Sequence, residues 1–323
     1  MNIFDKLPEK KFIKIFIDLY TLTDINHLLQ ILSSEIMKKS YRRIGLITKK
    51  ISEFLTGIKP VMKLTVNGSL MVDFEKVEKK MLLEEVFDLP GKITEEVKKK
   101  MVIVFDEFQE IRNFGKGQIE KVMRAKFQHH KDVSYIFMGS KERIMEDMVL
   151  SPQSSFYKMG KIIYLDKIPE KEFEEFISKK FITTGFKVER DAIKEILEFT
   201  NNIPYYVQMF CYTLWNEKFW EKKITLSDIE EIGEKIVKQN ENYFIELWES
   251  LTSYQRKVVV ALANREEEKI YSHEFIEKFD LKSPSSLQKT IKELVKKRII
   301  YKKKDIEFTD PFFFQWIKIN FEY

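Results

Sequence analysis

The sequence predicts a mixed α/β protein with three parts: a parallel-sheet core, an all-helical stretch, and a three-helix unit carrying a β-wing. Three observations carry this expectation. Apolar strand runs alternate with helical periodicity over residues 1–167, the pattern of a parallel sheet joined by helical crossovers. Residues 168–248 show helical spacing and no strand pattern. In residues 249–323 three amphipathic segments precede two short strands around a basic turn, as in a winged helix.

The first strand is the β-branched and aromatic run Phe12 to Tyr20, with an acid, Asp18, near its end. A helix follows, capped by Thr23 or Asp24, with Leu28, Leu29, Ile31, Leu32 and Ile36 at helical spacing. Residues 41–58 read as a second amphipathic helix. Lys63 to Val72 then alternates around Asn67-Gly68, a type I′ hairpin signal because both turn residues tolerate positive φ. Met101 to Phe105 is a continuous apolar run, as expected of a strand buried on both faces, and it ends on Asp106-Glu107. A helix over 118–128 leads to a strand from Val133 to Ser140, and a last core strand is expected at Lys161 to Leu165, completing a doubly covered sheet. Helices are expected over 170–182, 189–199, 204–221 and 226–248. The winged helix is expected from helices at Leu251 to Ala263, Ser272 to Phe279 and Ser283 to Lys297, with strands Ile299 to Tyr301 and Ile306 to Phe308. The aromatic segment Phe312 to Ile317 reads as a closing helix packed on that unit.

Charged residues make up 33% and apolar ones 44% of the 323 residues, a globular composition. One cysteine, Cys211, excludes an internal disulfide, and His129-His130 lacks a second ligand pair at zinc-site spacing. No stretch approaches the roughly 20 apolar residues of a membrane span, and no signal-peptide pattern opens the chain, so a cytoplasmic protein with no membrane partner is expected. A net charge of +5 is modest for this length, so only its distribution can inform about partners.

The strongest chemical signal is the strand Met101 to Phe105 delivering two adjacent carboxylates. Ligands of parallel sheets bind at the carboxyl ends of the strands. In ATPases of the P-loop type this is the Walker B position: the Asp holds Mg²⁺, usually through water, and the Glu orients the water that attacks the γ-phosphate. Both tasks need oxygen anions, since Mg²⁺ is a hard cation. The plain alternative is a strand end meeting solvent, where acids are common. Ser140, at the tip of the next expected strand, is a candidate sensor of γ-phosphate or lytic water, although Gly-Ser after a strand is more often a turn. The segment Asn201 to Tyr206 breaks the helical region, and a cap followed by Pro204 at the first helical position accounts for it. The Walker A loop is missing. Among the ten glycines only Gly91, Gly115 and Gly160 precede a Lys, and none has a Gly five residues earlier or a Ser/Thr after the Lys.

In this order and at these spacings the pieces resemble the archaeal-type ATPase family, a branch of the AAA+/STAND P-loop NTPases. The pieces are Ile17 to Tyr20, Asp106-Glu107-Phe108-Gln109, Gly139-Ser140, Asn202 to Tyr206 and Phe308-Thr309-Asp310-Pro311-Phe312. The resemblance covers the whole chain and implies an incomplete P-loop NTPase core (1–167), a helical lid (168–248) and a winged helix (249–323). It implies ATP and Mg²⁺ as cofactors, Glu107 and Ser140 as catalytic residues, Asp106 on the metal and the nucleotide, and Pro204 contacting nucleotide from the lid. The departure is at the front, where the family carries a first strand and the Walker A loop. That strand would lie between the strand ending at Ser140 and Lys161 to Leu165. The expectation is an N-terminally truncated nucleotide-driven switch, impaired as an ATP hydrolase. An in-frame Gly-rich loop within about 50 residues upstream of Met1 would support a misplaced start or split gene.

A rival class is a nucleic-acid-binding or protein-interaction module with a decayed ATPase core. From Lys282 to Lys304 there are nine basic residues (Lys282, Lys289, Lys292, Lys296, Lys297, Arg298, Lys302, Lys303, Lys304) against one acid, Glu293. They fall on the third helix and wing, where a winged helix meets DNA. A solvated face, or contact with a protein partner or a second copy, is the alternative use of that surface.

Overall fold

The computed structural model describes residues 4, 6–41, 44–64, 70–75, 77–115, 117–266, 269–302 and 305–321. It divides into two compact units, Met1–Ile163 and Tyr164–Tyr323.

The first unit is built on three parallel strands in the order β1 (Phe12–Asp18), β4 (Lys100–Asp106), β5 (Val133–Phe137). Helices α1 (Ile25–Ser40), α2 (Ile44–Phe54) and α3 (Lys79–Val97) lie between β1 and β4, together with an antiparallel hairpin, β2 (Pro60–Leu64) and β3 (Leu70–Phe74). The Asn67-Gly68 turn lies outside the described residues. Short α4 (Ile111–Gly115) and α5 (Gln118–Phe127) join β4 to β5, and α6 (Glu142–Leu150) follows β5. Asp24 caps α1 by accepting the His27 N–H at 3.0 Å, as its residue type leads one to expect.

The sheet is buried mainly on one face. Ile13, Ile15 and Ile17 of β1, Met101, Ile103 and Phe105 of β4, and Val133 of β5 join one core with Leu28, Leu32, Val86, Phe87 and Phe127. On the opposite face Val102 and Val104 are buried, but Phe16 and Ile136 are 41% and 44% exposed. This corrects the expectation of a doubly covered sheet. The strands advance in one direction, β1 to β4 to β5, and right-handed crossovers then place every connecting helix on the same side. Covering the second face requires a crossover running the other way. A second correction concerns Lys161 to Leu165, which forms no strand, with Ile163 71% and Leu165 89% exposed. A strand needs a hydrogen-bonding neighbour, and among the described residues no strand pairs with the outer edge of β5.

The second unit contains α7 (Glu170–Thr183), α8 (Arg190–Phe199), α9 (Pro204–Glu217), α10 (Leu226–Gln239), α11 (Glu241–Glu249), α12 (Ser253–Ala263), α13 (His273–Lys278), α14 (Pro284–Lys296) and α15 (Pro311–Asn320). The helix expected over 226–248 breaks at Asn240, whose side-chain amide donates to the Ile236 carbonyl at 2.8 Å. The helical stretch also holds one parallel pair of two-residue strands, β6 (Lys187–Val188) and β7 (Lys223–Ile224), too short for a periodicity reading. The wing is the antiparallel pair β8 (Ile300–Lys302) and β9 (Ile306–Phe308), and its turn residues Lys303 and Lys304 lie outside the described residues.

One core runs from α7 to α15. The closing helix joins both groups of helices: Phe312 packs against Phe199, Tyr206 and Phe210, while Phe313 and Trp316 pack against Phe244. Local sequence sets the helix starts. Thr252 and Gln255 form a capping box on α12, and Ser283 and Asp310 cap α14 and α15 just ahead of Pro284 and Pro311.

Candidate functional site at the carboxyl end of the sheet

β4 is the central strand, and its apolar run ends at Asp106, which stands in register with Asp18 at the end of β1. Asp106 Oδ1 accepts the Glu107 N–H at 2.9 Å, while Asp18 accepts the Tyr20 N–H at 2.9 Å and starts a tight turn. Glu107 adopts φ 47°, ψ 44°, in the left-handed region. A non-glycine residue there costs about 1–3 kcal/mol, so its surroundings must hold it. They do so through Phe108, 2% exposed, whose ring packs on Phe137 at 4.3 Å and Phe156 at 5.4 Å. The Phe108 N–H donates to the Met138 carbonyl and the Met138 N–H to the Phe105 carbonyl, each at 2.8 Å. The tips of β4 and β5 are thereby stitched together beyond the regular strands.

Ser140 follows β5, and its hydroxyl donates to Glu107 Oε2 at 2.9 Å. The Gln109 side-chain amide donates to the same oxygen. Hydrogen bonds from Gln109 above all, opposed by burial and reinforced by Ser140, hold the Glu107 carboxyl below the ordinary carboxylate range. Beside it Lys141 pairs with Glu110 at 2.6 Å. The structure therefore brings Asp106, Glu107 and Ser140 together. It places Pro204 in the second unit, at the first position of α9, after Asn201 and Asn202 with φ 50° and 56°. Sequence reasoning named no role for Gln109, although a glutamine following an apolar run and two acids is a polar residue entering a core.

The donor set suits a hard divalent cation: the groups at the tip are carboxylate and hydroxyl oxygens, with no thiol or imidazole. Among the described residues no group of three or more His, Cys, Asp or Glu could hold a metal by itself.

The second unit presents a separate feature. On α14 the side chains of Leu287, Thr290, Ile291 and Leu294 are buried, while Lys289, Lys292 and Lys296 share the exposed face. Lys282, Lys297, Arg298 and Lys302 are exposed around it. Glu307 on β9 accepts from Lys167 Nζ and from Asn201 Nδ2, each at 2.6 Å, and from the Tyr301 hydroxyl. Burial opposes ionisation of Glu307, but these donors hold its carboxyl below the ordinary range. Among the described residues no helix is long and apolar enough to cross a membrane.

Comparison with known proteins places these features. Residues 242–319 match the family described as "Probable winged helix domain". A Walker-type ATPase of Pyrococcus abyssi is similar in structure, with TM-score 0.56 and 18% identity, over 94% of this chain and 84% of that one. The ORC2 protein of Aeropyrum pernix, solved with ADPNP and ADP, gives TM-score 0.51 at 8% identity, over 96% of this chain and 78% of that one. Among curated proteins, the "Probable DNA polymerase III subunit delta" of Aquifex aeolicus is 22% identical over 148 residues, 46% of this chain and 42% of that protein. The chain thus spans well under half the length of that curated relative. This chain shares its fold with the Pyrococcus abyssi Walker-type ATPase and the Aeropyrum pernix ORC2 protein, with a parallel sheet ending in paired acids and a winged helix after it.

Proposed function

We propose that the chain is a nucleotide-driven switch of the AAA+/STAND type, with Mg·ATP gripped at the carboxyl ends of β4 and β5. The observation that carries this reading is Asp106-Glu107 at the tip of the central parallel strand, with the hydroxyl of Ser140, just beyond the neighbouring strand, on Glu107. Asp106 would hold the metal through water, and Mg²⁺ would neutralise charge on the phosphates. Glu107 would accept a hydrogen bond from the attacking water, and Ser140 would sense its state or that of the γ-phosphate. Residues 168–248 would serve as the lid, with Pro204 as its nucleotide-contacting residue, and the winged helix over 249–323 as the output unit.

The 323 residues hold no Walker A motif, so the phosphates would need a loop supplied by a further element. The outer edge of β5, on which no strand pairs among the described residues, supports this: a parallel strand there would satisfy that edge and give Lys161 to Leu165 a neighbour. A crossover from it would cover Phe16 and Ile136. By itself the chain then binds ATP weakly and hydrolyses it slowly. Comparing ATP hydrolysis by the protein and its Glu107→Gln variant tests the assignment. Loss of the residual rate in the variant is expected, and equal non-zero rates would remove Glu107 from its role.

A second reading has the winged helix binding duplex DNA. It is favoured by the exposed face of α14, where Lys289, Lys292 and Lys296 recur at helical spacing opposite the buried stripe. Salt titration of DNA affinity separates this from a merely solvated face, because phosphate contacts give a steep slope.

A further inference from the structure

Gln109 is 3% exposed, yet it is not wholly satisfied: its side-chain oxygen is buried without a hydrogen-bond partner. A buried amide with an orphaned oxygen is unusual and needs a reason. Its nitrogen supplies one, since it donates to Glu107 Oε2. Turning the amide over would give the orphaned oxygen a carboxylate instead of a donor, so the observed orientation is the one Glu107 selects. The orphaned oxygen lies against the main chain just beyond β5: a Cβ on Gly139 would lie 2.2 Å from it and 2.8 Å from Met145. Gly139 is thus the bare backbone that lets Gln109 enter. Both side-chain donors, Gln109 and Ser140, bond the same carboxylate oxygen, Oε2. The Ser140 backbone N–H adds a further hydrogen bond to the same carboxylate.

We propose that Gln109 is a positioning residue that, together with Ser140, anchors Glu107 through Oε2 and so fixes the direction in which its carboxylate meets the attacking water. This rests on the reading of Glu107 as the acid that orients that water. The main chain agrees with the assignment, since Glu107 sits in the left-handed region between two anchored neighbours, Asp106 on the strand and Phe108 in the core. A side chain leaving such a turn points where its partners hold it, and Gln109, two residues on, is the buried one of the two.

The test is the titration of Glu107, followed by carboxyl-carbon NMR in the full chain and assigned by the signal lost in Glu107→Gln. Gln109→Met keeps length and volume while removing both the donor and the orphaned acceptor. The expected result is a Glu107 midpoint that starts below the ordinary carboxylate range and rises toward it in Gln109→Met, with a melting temperature unchanged or higher. A residue that only fills space would leave the midpoint in place, and the melting temperature with it, because Met matches its volume. Gln109→Glu serves as the second variant, since a neighbouring carboxylate pushes one of the pair above the ordinary range. An unmoved Glu107 midpoint in folded Gln109→Met, or no carboxyl of the pair raised above the ordinary range in folded Gln109→Glu, overturns the proposal. Failure of the underlying reading looks different: hydrolysis is then indifferent to Glu107→Gln, while the titration still shifts.

Discussion

Glu307→Gln isolates the polar tie between the wing and the start of the second unit. The substitution keeps shape and one acceptor oxygen but removes the charge on which three donors converge: Lys167, Asn201 and Tyr301. A hydrogen bond to a charged group contributes about 1.5–3 kcal/mol against about 1 for a neutral one. The pair is partly solvated, with side chains 41% exposed for Lys167 and 31% for Glu307, so the ionic part is discounted toward the lower end. The expected loss at neutral pH is therefore about 1–2 kcal/mol, or about 3–6 °C in the melting temperature of a unit this size. The sign with pH follows from the depressed carboxyl. Its contribution is full above the ordinary Glu value of 4.5 and is lost as pH falls through the lower folded value. Thermal melts followed by far-UV circular dichroism at neutral pH and at successively lower pH read both effects. The two proteins should differ at neutral pH and converge in acid. Coincident melts at neutral pH, or a gap unchanged in acid, would refute the reasoning.

Three further outcomes are expected. Replacing Lys289, Lys292 and Lys296 together by Ala should lower the slope of log affinity for duplex DNA against log salt by about 2.7; an unchanged slope removes α14 from the interface. Phe105→Ala should cost about 3–5 kcal/mol in denaturant melts, because the ring is fully buried and stacks on Phe127 and Phe137. In hydrogen exchange, the Tyr135 and Phe137 amides should exchange faster than those of Ser134 and Ile136. Strand alternation from the bond of Met138 N–H to Phe105 turns the odd-numbered amides toward the free edge, so equal protection would mean that the edge is covered.

Much of the fold was legible because local chemistry and tertiary demand agree. The apolar run Met101 to Phe105 is the central strand, Asp24, Ser283 and Asp310 are the caps their residue types suggest, and Phe312 to Ile317 packs as the closing helix. What the sequence hid depends on neighbours. Lys161 to Leu165 has the composition of a strand, but strand formation needs a pairing edge that composition cannot supply. The single covered face follows from the monotone strand order, which periodicity does not encode. At the tip of β4, adjacent carboxylates after a buried run could be read directly, whereas the inward turn of Gln109 follows from the left-handed backbone at Glu107 and the bare Gly139 across from it. Glu307 was invisible for a similar reason: its partners Lys167 and Asn201 are more than a hundred residues away in sequence.

Amide NMR during titration with Mg·ATP tests the central claim most directly. If the acids of β4 receive the nucleotide, the resonances of Asp106, Glu107 and Ser140 move together, even with weak binding, and the movement is reduced in Asp106→Asn. Resonances that stay fixed at these three positions up to millimolar Mg·ATP would contradict it.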